Sequence, residues 1–108
     1  MTEFVQITTV TDSSFLAESI ASELVERRHA GCVQVVGPIQ SIYRWQGNVE
    51  RSEEWLCVIK TSRDQYLAVE TLIRQLHSYE CPEIIATAIT TGSDQYLAWL
   101  AEQVSSSE

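Results

Sequence analysis

Imidazole, thiol, carboxylate and aromatic side chains gather at three places in this 108-residue chain, and each gathering has a chemistry it can support. The segment His77-Ser78-Tyr79-Glu80-Cys81-Pro82-Glu83 holds an imidazole, a thiol and two carboxylates within seven residues. Such donors suit a borderline or soft metal ion, but their spacing matches no closed zinc site, and a solvated loop is the plainer account. Ser41, Tyr43 and Trp45 alternate along an extended stretch and so share one face. They could read a ligand, although an aromatic anchor in a subunit contact is the simpler role. Glu50, Ser52, Glu54, Leu56, Val58 and Lys60 share a face by the same parity. Lys60 ends that row either as a snorkelling edge residue or as an anion-reading group in a cleft. Ser93 lies in no nucleophile elbow, no motif pairs Cys32 with a base, and the four glycines form neither a dinucleotide fingerprint nor a P-loop. Hydrolase and nucleotide chemistry are therefore unsupported, and the chain is predicted not to be an enzyme.

The elements that must carry these residues follow from periodicity. Glu3 to Val10 is β-branched and aromatic and predicts a first strand. Caps at Thr11 to Ser14 then precede a helix whose stripe is Leu16, Ile20 and Leu24. Arg27, Arg28 and His29 suit the end of that helix, with Gly31 as the expected left-handed cap. Cys32 to Trp45 predicts a strand bent at Gly37-Pro38 and confined to a sheet edge, because proline cannot donate to a ladder. Gly47-Asn48 is the expected hairpin turn, and Val49 to Thr61 the returning strand. Thirteen residues at about 3.3 Å each span roughly 43 Å, whereas a globule of this size is about 34 Å across, so the hairpin tip must project. Ser62 and Gln65 fit a capping box for a second helix running to about His77. After Pro82, Glu83 to Thr90 predicts a fourth strand and Ser93 to Val104 a terminal helix.

This order, β-α-β-β-α-β-α, predicts an α+β ferredoxin-like sandwich: one antiparallel sheet, helices on one face, strands one and three in the centre. Residues 1–104 form a single domain, with 105–108 a disordered tail. Leu56 and Val58 alternate with Trp55, Cys57 and Ile59, so both faces of the third strand are apolar. Helices cover only one of them. The other predicts sheet-to-sheet packing between subunits.

Composition narrows the partners. The chain is 44% hydrophobic and 20% charged, enough to bury a core, and its length allows one domain. Seven Lys and Arg against fifteen Asp and Glu give a net charge of -8, which repels phosphate backbones and headgroups and predicts neither a nucleic-acid nor a membrane partner. No apolar run approaches the roughly 20 residues that span a bilayer. MTEFVQITTV lacks the basic stretch of a leader, predicting a cytoplasmic protein. Three cysteines, an odd number at wide spacing, predict reduced thiols.

The same residues carry a resemblance. Ala30-Gly31-Cys32-Val33, Ser41-Ile42-Tyr43-Arg44-Trp45-Gln46-Gly47, Glu54, Lys60-Thr61, Tyr79-Glu80-Cys81-Pro82-Glu83-Ile84 and Tyr96-Leu97-Ala98-Trp99 fall in the order of the CutA family of divalent-cation tolerance proteins, which the chain resembles over nearly its whole length. Gln34 stands where that family usually has asparagine, and Cys81 where it usually has valine. The resemblance implies a homotrimer of ferredoxin-like fold, related in architecture to the PII signalling proteins, tied to copper tolerance and without settled enzymatic activity. Copper or another divalent ion is then the implied cofactor. Cuprous copper prefers thiolate and imidazole, which makes Cys32 the leading ligand with His29, His77 and Cys81 as helpers. A small buried hydrophobe is the competing role for Cys32. The alternative function is a PII-like sensor of a small anionic ligand, its intersubunit cleft drawing on Tyr43, Trp45, Glu54, Lys60, Tyr79 and Glu83.

Overall fold

A computed structural model describes residues 3–105. Its elements are β1 (Phe4–Thr11), α1 (Ser14–Glu26), β2 (Cys32–Trp45), β3 (Asn48–Ser62), a 3-10 turn (Arg63–Gln65), α2 (Tyr66–Leu76), β4 (Ile85–Ile89) and α3 (Asp94–Gln103). The strands form one antiparallel sheet in the order β2-β3-β1-β4, with β3 and β1 central and the proline-bearing β2 on an edge, the ferredoxin-like arrangement expected from the sequence. Residues 106–108, the rest of the expected tail, lie outside the described residues. Ser105 is held to the body, its amide donating to the Arg28 carbonyl and its own carbonyl accepting from Gln65.

Alternation builds the core. Val5, Ile7, Thr9 and Thr11 of β1 are buried while their neighbours are not. Cys57 and Ile59 continue that layer on β3, and the stripes Ala17-Ile20-Leu24 of α1 and Val69-Leu72-Ile73 of α2 close over it. Leu56, Val58 and Lys60 face the other way. There α3 reaches only one corner, with Leu100 fully buried and Tyr96 beside the Cys32 thiol.

Four local expectations are corrected. The left-handed residue after α1 is Arg28 (φ 62°), not Gly31. Arg28 is held there by its guanidinium donating to the Glu102 carbonyl at 2.6 Å, while Gly31 lets Leu100 approach, since a Cβ there would lie 2.5 Å from Leu100 Cδ1 and displace it. The hairpin turns on Gln46-Gly47 (φ 50° and 83°), one residue before Gly47-Asn48, since Trp45 pairs with Asn48 and a primed turn needs positive φ at both central residues. The Ser62 and Gln65 capping box does not form. Ser62 Oγ donates to Asp64 instead, and Gln65 is drawn into bonds with His29 and the Ser105 carbonyl. The fourth strand is limited to Ile85–Ile89, the length over which Phe4 to Thr8 of β1 pairs with it.

The hairpin does project. β1 pairs with β3 from Trp55 to Ser62, so among the described residues Asn48 to Glu54 has β2 as its sole partner strand, and the long axis reaches 44 Å against 25 and 21 Å. The bend at Gly37-Pro38 interrupts the β2–β3 register between Val36 and Ile39, where the Trp55 indole fills the space a Cβ on Gly37 would need. Because Ile59 is fully buried among strand and helix side chains, Ile59→Ala should lower unfolding free energy by about 2–5 kcal/mol. A loss of unfolding free energy below about 1 kcal/mol in denaturant titration would place the core elsewhere.

Candidate functional site

Where β3 leaves the sheet, the projecting hairpin and the segment between α2 and β4 enclose an open cavity of about 680 Å³. Ser41, Tyr43 and Trp45 line it from β2, Glu54 from β3, and Tyr79 to Cys81 with Glu83 from the segment opposite. Five of the six residues expected in the cleft thus share one cavity. The sixth, Lys60, does not line it. Its ammonium donates to Gln34 Oε1 at 2.8 Å, further along the open face of β3.

His77 shapes the segment that faces the hairpin. Its Nε2 lies 2.7 Å from the Val10 carbonyl, which only accepts, and its Nδ1 lies 3.0 Å from the Tyr79 amide, which only donates. The ring is therefore a neutral Nε2–H tautomer with both nitrogens engaged. The Tyr79 ring tilts against it at a centroid distance of 4.7 Å, and its hydroxyl donates to Glu54 Oε2 at 2.6 Å. Burial first, and then the hydrogen bond to Glu54, push the Tyr79 hydroxyl well above its ordinary value, so it stays a donor at physiological pH. Glu54 is only 4% exposed. Tyr43 is oriented by a 2.8 Å hydroxyl contact with Ser52, and Ser78 donates to Asp12. Removing the donor to Glu54 with Tyr79→Phe should cost about 1–3 kcal/mol, the penalty of a buried acceptor left unmet. Unchanged thermal unfolding would show that water replaces it.

The four residues expected to ligate metal are dispersed. His77 has no free lone pair in this arrangement. His29 sits on the α2 side, its Nδ1 donating to Gln65 Oε1, whose amide nitrogen is committed to Ser105. Cys32 is half-buried beside Tyr96, whose hydroxyl is raised first by burial and then by that thiol. Cys81 is exposed at the cavity. Among the described residues no three histidine, cysteine or carboxylate side chains converge as a metal-holding group. One protomer therefore does not fit a closed metal centre.

Two contributors to the site were not singled out from the sequence. Ile42 lines the cavity, and the Val10 carbonyl fixes His77. The second had no sequence signal, because any residue offers a carbonyl. Cys57 is buried, and burial pushes its thiol up to about 11, while Cys81 stands in the open. A thiol-reactive disulfide reagent at pH 8 should label Cys81 first, Cys32 later, and Cys57 only on unfolding. Early labelling of Cys57 would contradict its packing against the Ala17 carbonyl.

The arrangement has known counterparts. Residues 4–103 match the CutA1 divalent ion tolerance protein family. The divalent-cation tolerance protein CutA of Thermus thermophilus is 41% identical over 102 residues, covering 94% of this chain and 97% of that protein. The crystal structure of CutA1 from Shewanella sp. SIB1 superposes with a TM-score of 0.93 at 38% identity, covering 96% of this chain and 97% of its own. CutA from Archaeoglobus fulgidus, described as periplasmic, superposes at 0.87 with 34% identity over 97% of this chain and 100% of its own. With family match, relatives and fold in agreement over nearly its full length, this chain belongs to the CutA1 divalent ion tolerance family.

Proposed function

We propose that this chain serves divalent-cation tolerance without catalysing a reaction, as a cytoplasmic homotrimer whose acidic cavities take up cations, copper among them. The observation that carries this reading is the charge of the cavity. Glu54, Glu80 and Glu83 line it together with the Cys81 thiol, and no lysine or arginine does. With a net charge of -8 behind it, such a cavity concentrates cations and repels anions. No observation favours the anion-sensor alternative, since the lysine it requires is bonded to Gln34 away from the cavity.

Because one protomer brings no three metal donors together, metal binding is proposed as a property of the assembled protein, with neighbouring copies supplying the remaining donors. Association is supported by the projecting hairpin, which exposes Ile42 and Val49, and by Val36 and Ile85 on the uncovered side of the sheet. The number three comes from the family likeness. The three free cysteines fit a reducing cytoplasm, where copper is cuprous and thiolate is its preferred ligand. No helix among the described residues is long and apolar enough to cross a membrane.

Light scattering should return three times the 12.2 kDa chain mass, and a stable monomer would sink the assembly. Cuprous titration against a competing chelator should give binding that weakens as pH falls, since the thiol must lose its proton to bind. Cys81→Ser should weaken that binding if the cavity holds the ion. A loss confined to Cys32→Ser moves the site to the start of β2, and equal binding by both variants rejects thiol ligation.

A further inference from the structure

The cavity is furnished for more than a bare metal ion. Metal centres are small and draw several donor atoms to within about 2.0–2.6 Å of one point. Here the space is about 680 Å³, within the size range of small-molecule sites, and no three donors converge. Aromatic rings stand in their place. Tyr43 and Trp45 share one strand face and Tyr79 lies on the opposing segment, so ring surface comes from both sides of the cavity. Between them sits Glu54, 4% exposed, with Oε2 taken by Tyr79 and Oε1 without a hydrogen-bond partner among the described residues. Among the described residues no lysine, arginine or histidine pairs with this carboxylate, and the ion pairs Arg27–Glu23, Arg63–Glu3 and Arg74–Glu70 lie elsewhere. A carboxylate oxygen left free at a cavity between rings offers a counter-charge, and ring faces attract cations that carry apolar surface and little hydration.

Resting on the reading of this cavity as a cation site, we infer that it binds a small organic ammonium, a protonated or quaternary amine, with Glu54 as counter-charge and Trp45, Tyr43 and Tyr79 as its aromatic walls. The amine's methyl or methylene groups lie on the rings and its charge is turned towards Glu54. Glu80 and Glu83 at the same cavity add to the attraction without closing around the ligand. The recognised feature is positive charge on a body too large for a metal shell.

The test uses the full chain in its native assembly, with choline as probe and 3,3-dimethyl-1-butanol as the neutral molecule of the same shape. Calorimetry at constant ionic strength should give saturable choline binding about tenfold or more tighter than that of the alcohol. Trp45 is about half exposed, so Trp45→Leu leaves folding intact and should weaken choline about tenfold, whereas Trp45→Phe retains most of the affinity. Glu54→Gln should abolish the preference for charge. Equal binding of choline and the alcohol, indifference to Trp45→Leu, or no choline binding at all overturns the inference. Cuprous titration of the same samples separates the two claims. Copper bound without choline removes only the amine site, choline bound without copper removes only the metal reading, and binding of neither removes the cavity as a cation site.

Discussion

Strand β3 is longer than the sheet it completes, and that mismatch organises the rest of the molecule. Its second half, Trp55 to Ser62, is paired with β1 throughout and with β2 from Leu56 to Lys60, and supplies the core layer of Cys57 and Ile59. Its first half has only β2 beside it and is carried out past the end of β1. A two-stranded ribbon by itself is marginal in water, so the hairpin depends on the anchored half for its position. The interruption at Gly37-Pro38, with the Trp55 indole packed across it, sits close to where the paired half gives way to the free one.

Glu54 is the last residue of β3 before pairing with β1 begins. It is buried there because the segment after α2 folds over it, and that segment is held by side-chain-to-backbone bonds at His77 rather than by regular structure. The Tyr79 hydroxyl then ties the segment to the strand through Glu54. The cavity is thus a consequence of two elements ending at different places, a strand that overruns and a loop that turns back. Its walls are extended strand where they belong to β2 and β3, and its acidic content is shared between strand and loop.

The acidic surplus of the chain has a local expression as well as a global one. Exposed pairs such as Arg27–Glu23 and Arg74–Glu70 are spaced four apart on helices and contribute little individually. Most of the basic side chains are engaged there, at Glu3, and at carbonyls and amides such as those of Glu102 and Gln34. None lines the cavity, whose carboxylates therefore meet hydroxyl donors such as that of Tyr79 rather than cations. Membership of the divalent ion tolerance family agrees with a surface that favours cations.

Much of this was legible in the sequence, because the signals are local. The α1 stripe at Leu16, Ile20 and Leu24 follows from helical period, the alternation of β1 from strand period, and the edge position of β2 from the missing donor of Pro38. The shared face of Ser41, Tyr43 and Trp45 was readable for the same reason. What tertiary structure decided are matters of long-range contact. Gly31 carries no mark that distinguishes a cap from a close approach by Leu100, and Gln65 none that distinguishes a capping partner from a bridge to His29 and Ser105. Lys60 shares a parity with Glu54, but parity fixes a face and not a distance along it, so only the fold could leave one in the cavity and the other bonded to Gln34. The thiols and imidazoles suggested a metal set by their chemistry, whereas the fold gave His77 to two backbone groups and His29 to Gln65. Residue type determines what a side chain can bind, but which partner reaches it first depends on chain segments distant in sequence.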